Sequence, residues 1–383
     1  MSQQNNEPIF EENSSDSSHN NALENDDKAK FSSKEKGAKK RKIFIWAVSV
    51  IAALLLIGVA VVFILVQLGK ANLLNHKEVN LDVDSAVSDV ELQNDNTVVY
   101  KGATYEYNKD VTAVLCLGVD KKSFSNGSAG SNGQADAIFL AALDTKTGRS
   151  TVIPIPRDSM VEVDVYSEKE EYVGIKNTQL CLAYAYGDGG HTSCKNVAKS
   201  VSRMFYGIPI DSYIAIDMDA LSVLADQVGG VKVTLTEDMD ILGRMYGKGQ
   251  EVTLKGALTQ AFLQKRSGGL ESSLDRMERQ KQFVQKFTVS AIEKTKKDIT
   301  APVKIFKAIT PYMVTDLSVA DISFLTSCFM GGKVGTSVEY KRISGKMEQP
   351  GKYAEYIYDP QSVYEIIIDV FYKPLSLPAT QSN

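Results

Sequence analysis

The stretch VTAVLCLGVD, residues 111–120, decides the fold. A nearly continuous apolar run ending in Gly118 and an acid reads as a strand buried on both faces. Working outward, AIFLAAL (137–143) and STVIPI (150–155) are two more such runs, joined by the turn DTKTG at 144–148. Shorter strand candidates are Ile214–Met218 and Val231–Leu235, the second preceded by Gly229 and Gly230. Helical periodicity predicts helices over Asn196–Phe205, Met218–Val228, Gly256–Lys265, Leu274–Lys296, Val319–Phe329 and Pro360–Phe371. Strands mixed with helices indicate one α/β domain whose mixed central sheet is covered by helices.

If the second strand returns antiparallel after the loop 121–135, and the turn at 144–148 reverses the chain again, three side chains meet. Asp120, Asp136 and Arg157 then share one sheet edge, where α/β proteins place their sites. Two carboxylates suit a hard cation that completes its shell with phosphate oxygens, and Arg offers bidentate donors to phosphate. Taken singly, Asp120 and Asp136 would also serve as turn caps, and Arg157 as a solvated loop residue. A second cluster follows. Lys265 and Arg266 end one helical pattern, and LDRMERQ (274–280) opens the next. Arg276 and Gln280 share a face, with Arg279 close by. Cations at a helix start oppose its dipole, which suits them to an anion held there; a solvated basic face is the other reading.

The N-terminus is sharply asymmetric. Residues 1–27 hold seven acids and no Lys or Arg, while 28–42 hold eight basic residues and one acid. This stretch cannot bury enough apolar surface to order itself, so 1–42 is expected to be a disordered cytoplasmic tail. Residues 43–67 are expected to form one transmembrane helix, too long for the apolar core of a cleaved signal peptide. Lysines crowd its N-terminal side, so the following chain is expected outside the cell: a stalk over 68–97, the domain over 98–373 and a loose end over 374–383. The expected location is therefore the cell membrane, single-pass, with the basic cluster near anionic lipid.

The balance of 43 basic against 47 acidic residues argues against a nucleic-acid binder. Three dispersed His exclude a His-rich zinc site. Cys116 and Cys328 read as inert core thiols. Cys181 and Cys194 flank a Gly-rich turn, where a disulfide and two free thiols are equally compatible with the sequence.

At these residues the chain resembles the LytR-CpsA-Psr proteins, the cell envelope-related transcriptional attenuator family. The resemblance runs from about Tyr105 to Tyr372. It rests on LGVD (117–120), QADAIFLAALD (134–144), IPIPRDS (153–159), AYAYGDGG (183–190), YGIPIDSYIAIDMDAL (206–221), LADQVGGVKVTL (224–235) and DRMERQ (275–280), in that order behind a membrane anchor. It implies a three-layer α/β/α sandwich outside the membrane of a bacterium with a thick peptidoglycan wall. It implies a phosphotransferase that moves a glycopolymer, a teichoic acid or capsular polysaccharide, from a polyprenyl pyrophosphate carrier to peptidoglycan. The ion would be Mg²⁺ or Mn²⁺, at Asp120 and Asp136. Arg157, Arg266 and Arg276 match the family's catalytic arginines; Lys122, Gln134, Arg279 and Gln280 fall at substrate-binding positions. Two positions depart: Gln134 and Gln264 stand where many members carry Arg, which keeps hydrogen bonding but removes charge. Asp136 and Asp158 are the candidate bases. The other reading of the same fold is a non-catalytic polyprenyl-phosphate-binding sensor or attenuator.

Overall fold

The computed structural model describes residues 57–58, 60–75, 87–88, 90–94, 96–120, 132–266, 268–330 and 338–375. Contacts divide the chain into Met1–Phe63 and Ile64–Asn383. In the first unit the described residues 57–58 and 60–63 are helical and exposed. Among the described residues no helix is long and apolar enough to cross a membrane. Most of the expected span, and the whole expected tail, lie outside the described residues.

In the second unit the central sheet is built from β1 (Val111–Val119), β2 (Ala135–Asp144), β3 (Ser150–Pro154), β4 (Ser212–Ile216), β5 (Met313–Thr315) and β6 (Glu339–Tyr340). The strand order is β5-β4-β1-β2-β3-β6. β1–β2, β2–β3 and β4–β5 are antiparallel, whereas β1–β4 and β3–β6 are parallel. The sheet is mixed, as the sequence predicts. The register sets Val119 opposite Ala135, so the expected meander exists and its reversals bring Asp120, Asp136 and Arg157 to one edge. Gly118 permits the close approach there, since a Cβ would stand 3.0 Å from that of Ala137.

The two faces of the sheet follow the period of two. Leu115, Leu117, Ile138, Leu140 and Ile153 enter one core with α1 (His191–Met204) and α7 (Pro360–Phe371). Cys116, Phe139, Ala141 and Val152 face the other way, into a cavity. That cavity is closed by α2 (Met218–Gln227), α4 (Ser272–Lys297) and α5 (Ala301–Ile309), with α3 (Ala257–Gln264) and α6 (Val319–Met330) beside them. Helices thus cover both faces of the sheet.

The helix expectations hold within a few residues, with one clear shift. α1 begins at His191, five residues before the expected Asn196, with Gly190 at its N-cap and the Asp188 carboxylate bonded to the backbone of its first turn. Asp188 Oδ1 accepts from the backbone N–H groups of Gly190, Thr192 and Ser193 at 2.8, 3.0 and 3.2 Å. Val231–Thr234 is a strand, but it pairs with Glu251–Leu254 in a separate ribbon over α3 and α4 rather than joining the sheet.

Other differences correct the expected boundaries. Residues 90–97 are no irregular stalk. Val90–Asn94 and Thr97–Tyr100 form a four-stranded sheet with Ala103–Tyr107 and Tyr372–Pro374. Val98 and Tyr100 bury one side of it in the main core. The expected boundary at 98 falls inside this sheet, and Pro374 pairs with Tyr105 instead of starting a loose end. Residues 64–73 are helical and also dock on the domain: Leu73 is buried with Leu317 and Phe324. The hairpin of Met160–Tyr166 and Tyr172–Gln179, and helix α5, are elements beyond those expected from the sequence.

Candidate functional site

The site grows from the ends of β1, β2 and β3. Asp136 is buried, with its side chain 6% exposed, at the start of β2. Its two oxygens are each taken by an arginine. Arg157 Nη1 donates to Oδ1, and Arg276 Nη1 donates to Oδ2 at 3.1 Å. Arg157 comes from the turn after β3, and Arg276 from the second turn of α4. The sequence places them far apart; the structure joins them through one carboxylate.

Arg157 is held on all sides. Its Nη2 donates to Gln134 Oε1 and to Cys181 Sγ, the latter at 3.2 Å, and its Nε lies 3.3 Å from Asp158 Oδ1. The Cys181 N–H also donates to the Arg157 carbonyl at 2.9 Å. Gln134 therefore acts as an acceptor that orients Arg157. An Arg in its place would set two guanidiniums against each other. Cys181 is a site residue that sequence reasoning missed, because a thiol beside a Gly-rich turn carries no signal except for a disulfide. Cys181 and Cys194 are both buried free thiols here. Burial pushes the Cys181 thiol up, against the pull of Arg157, so it stays a neutral hydrogen-bonding partner. Cys116 is half-buried and lines the cavity rather than lying in closed core.

The cavity behind this cluster has a volume of about 640 Å³. Asp120, Asp136, Gln264, Arg266, Arg276 and Gln280 line its polar end. Leu221, Leu224, Phe287 and Phe306 belong to its apolar body. The Arg276 guanidinium is pulled down to about 10, first by burial, then by Arg157 and Arg266, against the help of Asp158 and Asp120. An anion entering the polar end would relieve that strain.

Arg279 faces elsewhere. Its Nη1 donates to Glu237 Oε1 at 3.2 Å, and its Nη2 donates to the Lys265 carbonyl. It is buried and does not line the cavity, so its part is to fix the segment that carries Arg266. Lys122 lies outside the described residues. Asp158 is buried and committed to Arg157. Neither candidate base is a free carboxylate.

Among the described residues, no three His, Cys, Asp or Glu side chains converge on a metal position. Asp120 and Asp136 offer oxygen donors only, and three arginines balance the three carboxylates of the cluster. That donor set fits a hard cation sharing its shell with phosphate and water, and does not fit a soft one.

A sequence model of the LytR_cpsA_psr family matches residues 75–367. This chain belongs to the LytR_cpsA_psr family. The matched region starts before the expected domain boundary at 98, in keeping with the strands found over 90–107. Among curated relatives, the polyisoprenyl-teichoic acid–peptidoglycan teichoic acid transferase TagU of Bacillus subtilis (strain 168) is 25% identical over 247 residues, 64% of this chain and 70% of its own. TagU of Oceanobacillus iheyensis is 24% identical over 296 residues, 77% of this chain and 83% of its own. The fold of this LytR_cpsA_psr protein is shared with solved structures. The crystal structure of B. subtilis TagV superposes with a TM-score of 0.53 at 20% identity, covering 68% of this chain and 96% of that one. A structure of TagT bound to LI-WTA gives 0.52 at 22% identity, covering 68% and 90%.

Proposed function

We propose that this protein is a membrane-anchored phosphotransferase. It transfers a glycopolymer of the teichoic acid or capsular polysaccharide type from a polyprenyl pyrophosphate carrier to a peptidoglycan sugar hydroxyl. One observation carries the reading: Asp136 and Arg276, with Arg157 bonded to the same carboxylate, stand at the polar end of an apolar cavity of about 640 Å³. A ligand with a long apolar chain and a pyrophosphate head matches both halves of that cavity. The names of the curated relatives support the polymer and the acceptor.

In this reading the polyprenyl chain lies between the second sheet face and α2, α4 and α5. Arg266 and Arg276 hold non-bridging phosphate oxygens, with Gln264 and Gln280 as neutral donors. Arg157 holds Asp136 in place. The acceptor hydroxyl attacks the phosphorus next to the polymer, forming a new O–P bond. The bond from that phosphorus to the bridging oxygen breaks, polyprenyl phosphate leaves with the electron pair, and the hydroxyl proton passes to solvent at the open mouth. The arginines stabilise the charge spread over the equatorial oxygens. Asp120 and Asp136 would hold Mg²⁺ or Mn²⁺, which when bound neutralises charge on the leaving phosphate.

Residues 43–67 anchor the chain, with the tail in the cytoplasm and the domain outside. The test is a reconstituted transfer assay with lipid-linked polymer, peptidoglycan and Mg²⁺. Turnover that disappears in Arg157→Ala supports the reading. Unchanged turnover in that folded variant sinks it.

The pairing of both Asp136 oxygens, together with Gln134 and Gln264, favours a second reading: a sensor that binds polyprenyl phosphate without chemistry. Lipid binding with no turnover on any carrier would select it.

A further inference from the structure

The cavity does not end at the arginines. Its other end is lined by Ala291 and Thr295 near the C-terminus of α4, and by Pro302 at the start of α5. The corner between these helices, residues 286–307, holds six lysines and two acids. Lys294 donates to the Gln227 carbonyl, and Lys304 pairs with Asp298 at 2.8 Å. Lys296, Lys297 and Lys307 are exposed, with no ion pair among the described residues. Between them Ile299 stands 62% exposed at the tip of the corner.

The helix over 64–73 ties this corner to the chain that precedes the domain. Gly69 lies against the backbone of Ala320 in α6, where a Cβ would stand within 2.9 Å of three backbone atoms. Asn72 Nδ2 donates to Asp321 Oδ1 at 3.1 Å. Val66 packs into the same cluster as Phe306 of α5. Phe306 also lines the cavity. So the residues directly following the apolar run 43–66 pack on α6, in a cluster that Phe306 of α5 also joins.

We infer that the α4–α5 corner is a membrane-docking surface, in which Lys296, Lys297 and Lys307 meet anionic phospholipid head groups and Ile299 enters the interface. An exposed apolar tip ringed by unpaired lysines is the chemistry that binds an anionic bilayer, because the lysines gain charge attraction while the tip leaves water. A soluble partner would need a broader complementary face, and the tip offers one side chain. Docking here brings the apolar end of the cavity close to the lipid. The inference rests on the anchored reading above.

The test uses the full chain reconstituted in vesicles. Trp46 is the only tryptophan, so a Trp46→Phe background makes Ile299→Trp a clean reporter. Lipids brominated in the acyl chain quench a docked Trp; aqueous iodide quenches an undocked one. In phosphatidylglycerol vesicles, lipid quenching is expected at 299, and iodide quenching at a Tyr172→Trp control on the hairpin. Adding Lys296→Glu and Lys297→Glu should lower the docked-to-undocked ratio by at least roughly 25-fold, at about fivefold per lysine near an anionic surface. Neutral phosphatidylcholine vesicles should act in the same direction. Vesicle flotation separates the two readings. A chain that floats, but whose Trp at 299 is as open to iodide as the one at 172, overturns the docking surface alone. Docking at 299 that survives the double charge reversal also overturns it. A chain that fails to float with either lipid overturns the anchor and the docking surface together.

Discussion

Arg276 Nη1 donates to Asp136 Oδ2 at 3.1 Å, between side chains only 8% and 6% exposed. This ion pair joins the start of α4 to the edge of the central sheet, at the polar end of the cavity. Removing one partner leaves a buried charge without compensation. Asp136→Ala should therefore cost about 3–5 kcal/mol of stability. Arg276→Met should cost less, because Asp136 keeps Arg157. Chemical denaturation of the two variants side by side checks the order, and equal losses would contradict the shared-carboxylate geometry.

Arg157→Ala should lower polymer transfer by at least ~10²-fold, the usual loss when one preorganised electrostatic contact is removed. The fold should survive, since Asp136 retains Arg276. Transfer rate and thermal melting, measured on the same preparation, separate the two effects.

Arg279→Ala removes the hydrogen bonds to Glu237 and to the Lys265 carbonyl. Arg266 then loses its fixed support, and turnover should fall roughly ten- to hundredfold, as slight misplacement of a catalytic group does. Arg279→Lys should restore part of it. A direct phosphate contact would instead show as weaker carrier binding that Lys repairs fully.

Ala291→Trp fills the apolar end of the cavity without touching the arginines. Transfer from a long polyprenyl carrier should drop, while a short-chain analogue should be used as before. Comparing the two carriers tests whether the cavity receives the chain, and equal losses would argue against it.

Asp164 is buried and held by Lys199 and by Arg203, whose Nη1 donates at 2.9 Å. Burial opposes its ionisation, but these hydrogen bonds outweigh burial and keep its carboxyl below the usual range. Its contribution is present above the unfolded value of about 4 and is lost as pH falls through the lower folded value. Arg203→Met should cost about 2 kcal/mol at pH 7 and clearly less below pH 3. Melting curves at the two pH values check the sign.

Much of the fold is legible locally. The runs at 111–119, 137–143 and 150–155 read as buried strands because both faces are apolar, and two reversals suffice to place Asp120, Asp136 and Arg157 at one edge. The helices read well because period and caps are local. The boundaries read less well. Thr97–Tyr100 is too short to look like a strand, and it becomes one by pairing with Ala103–Tyr107 in a sheet that Tyr372–Pro374 completes. Val231–Thr234 reads as a strand, but a strand's sequence does not name its partner, and this one pairs with Glu251–Leu254 outside the central sheet.

By itself, the sequence determined the strand–turn–strand meander, the acids and the arginine at its edge, and the residues that carry the family resemblance. Tertiary structure decided which cations face the ligand. Arg276 and Arg279 are three residues apart on one helix, and spacing alone makes them equivalent neighbours. The rotation of α4 against the sheet turns Arg276 to Asp136 and leaves Arg279 holding Glu237 and Lys265. Tertiary structure also decided that Gln134 and Cys181 are partners of Arg157, and that one sheet face opens on a cavity. Such facts depend on contacts between distant segments and on how helices seat on a sheet, and no local period encodes either.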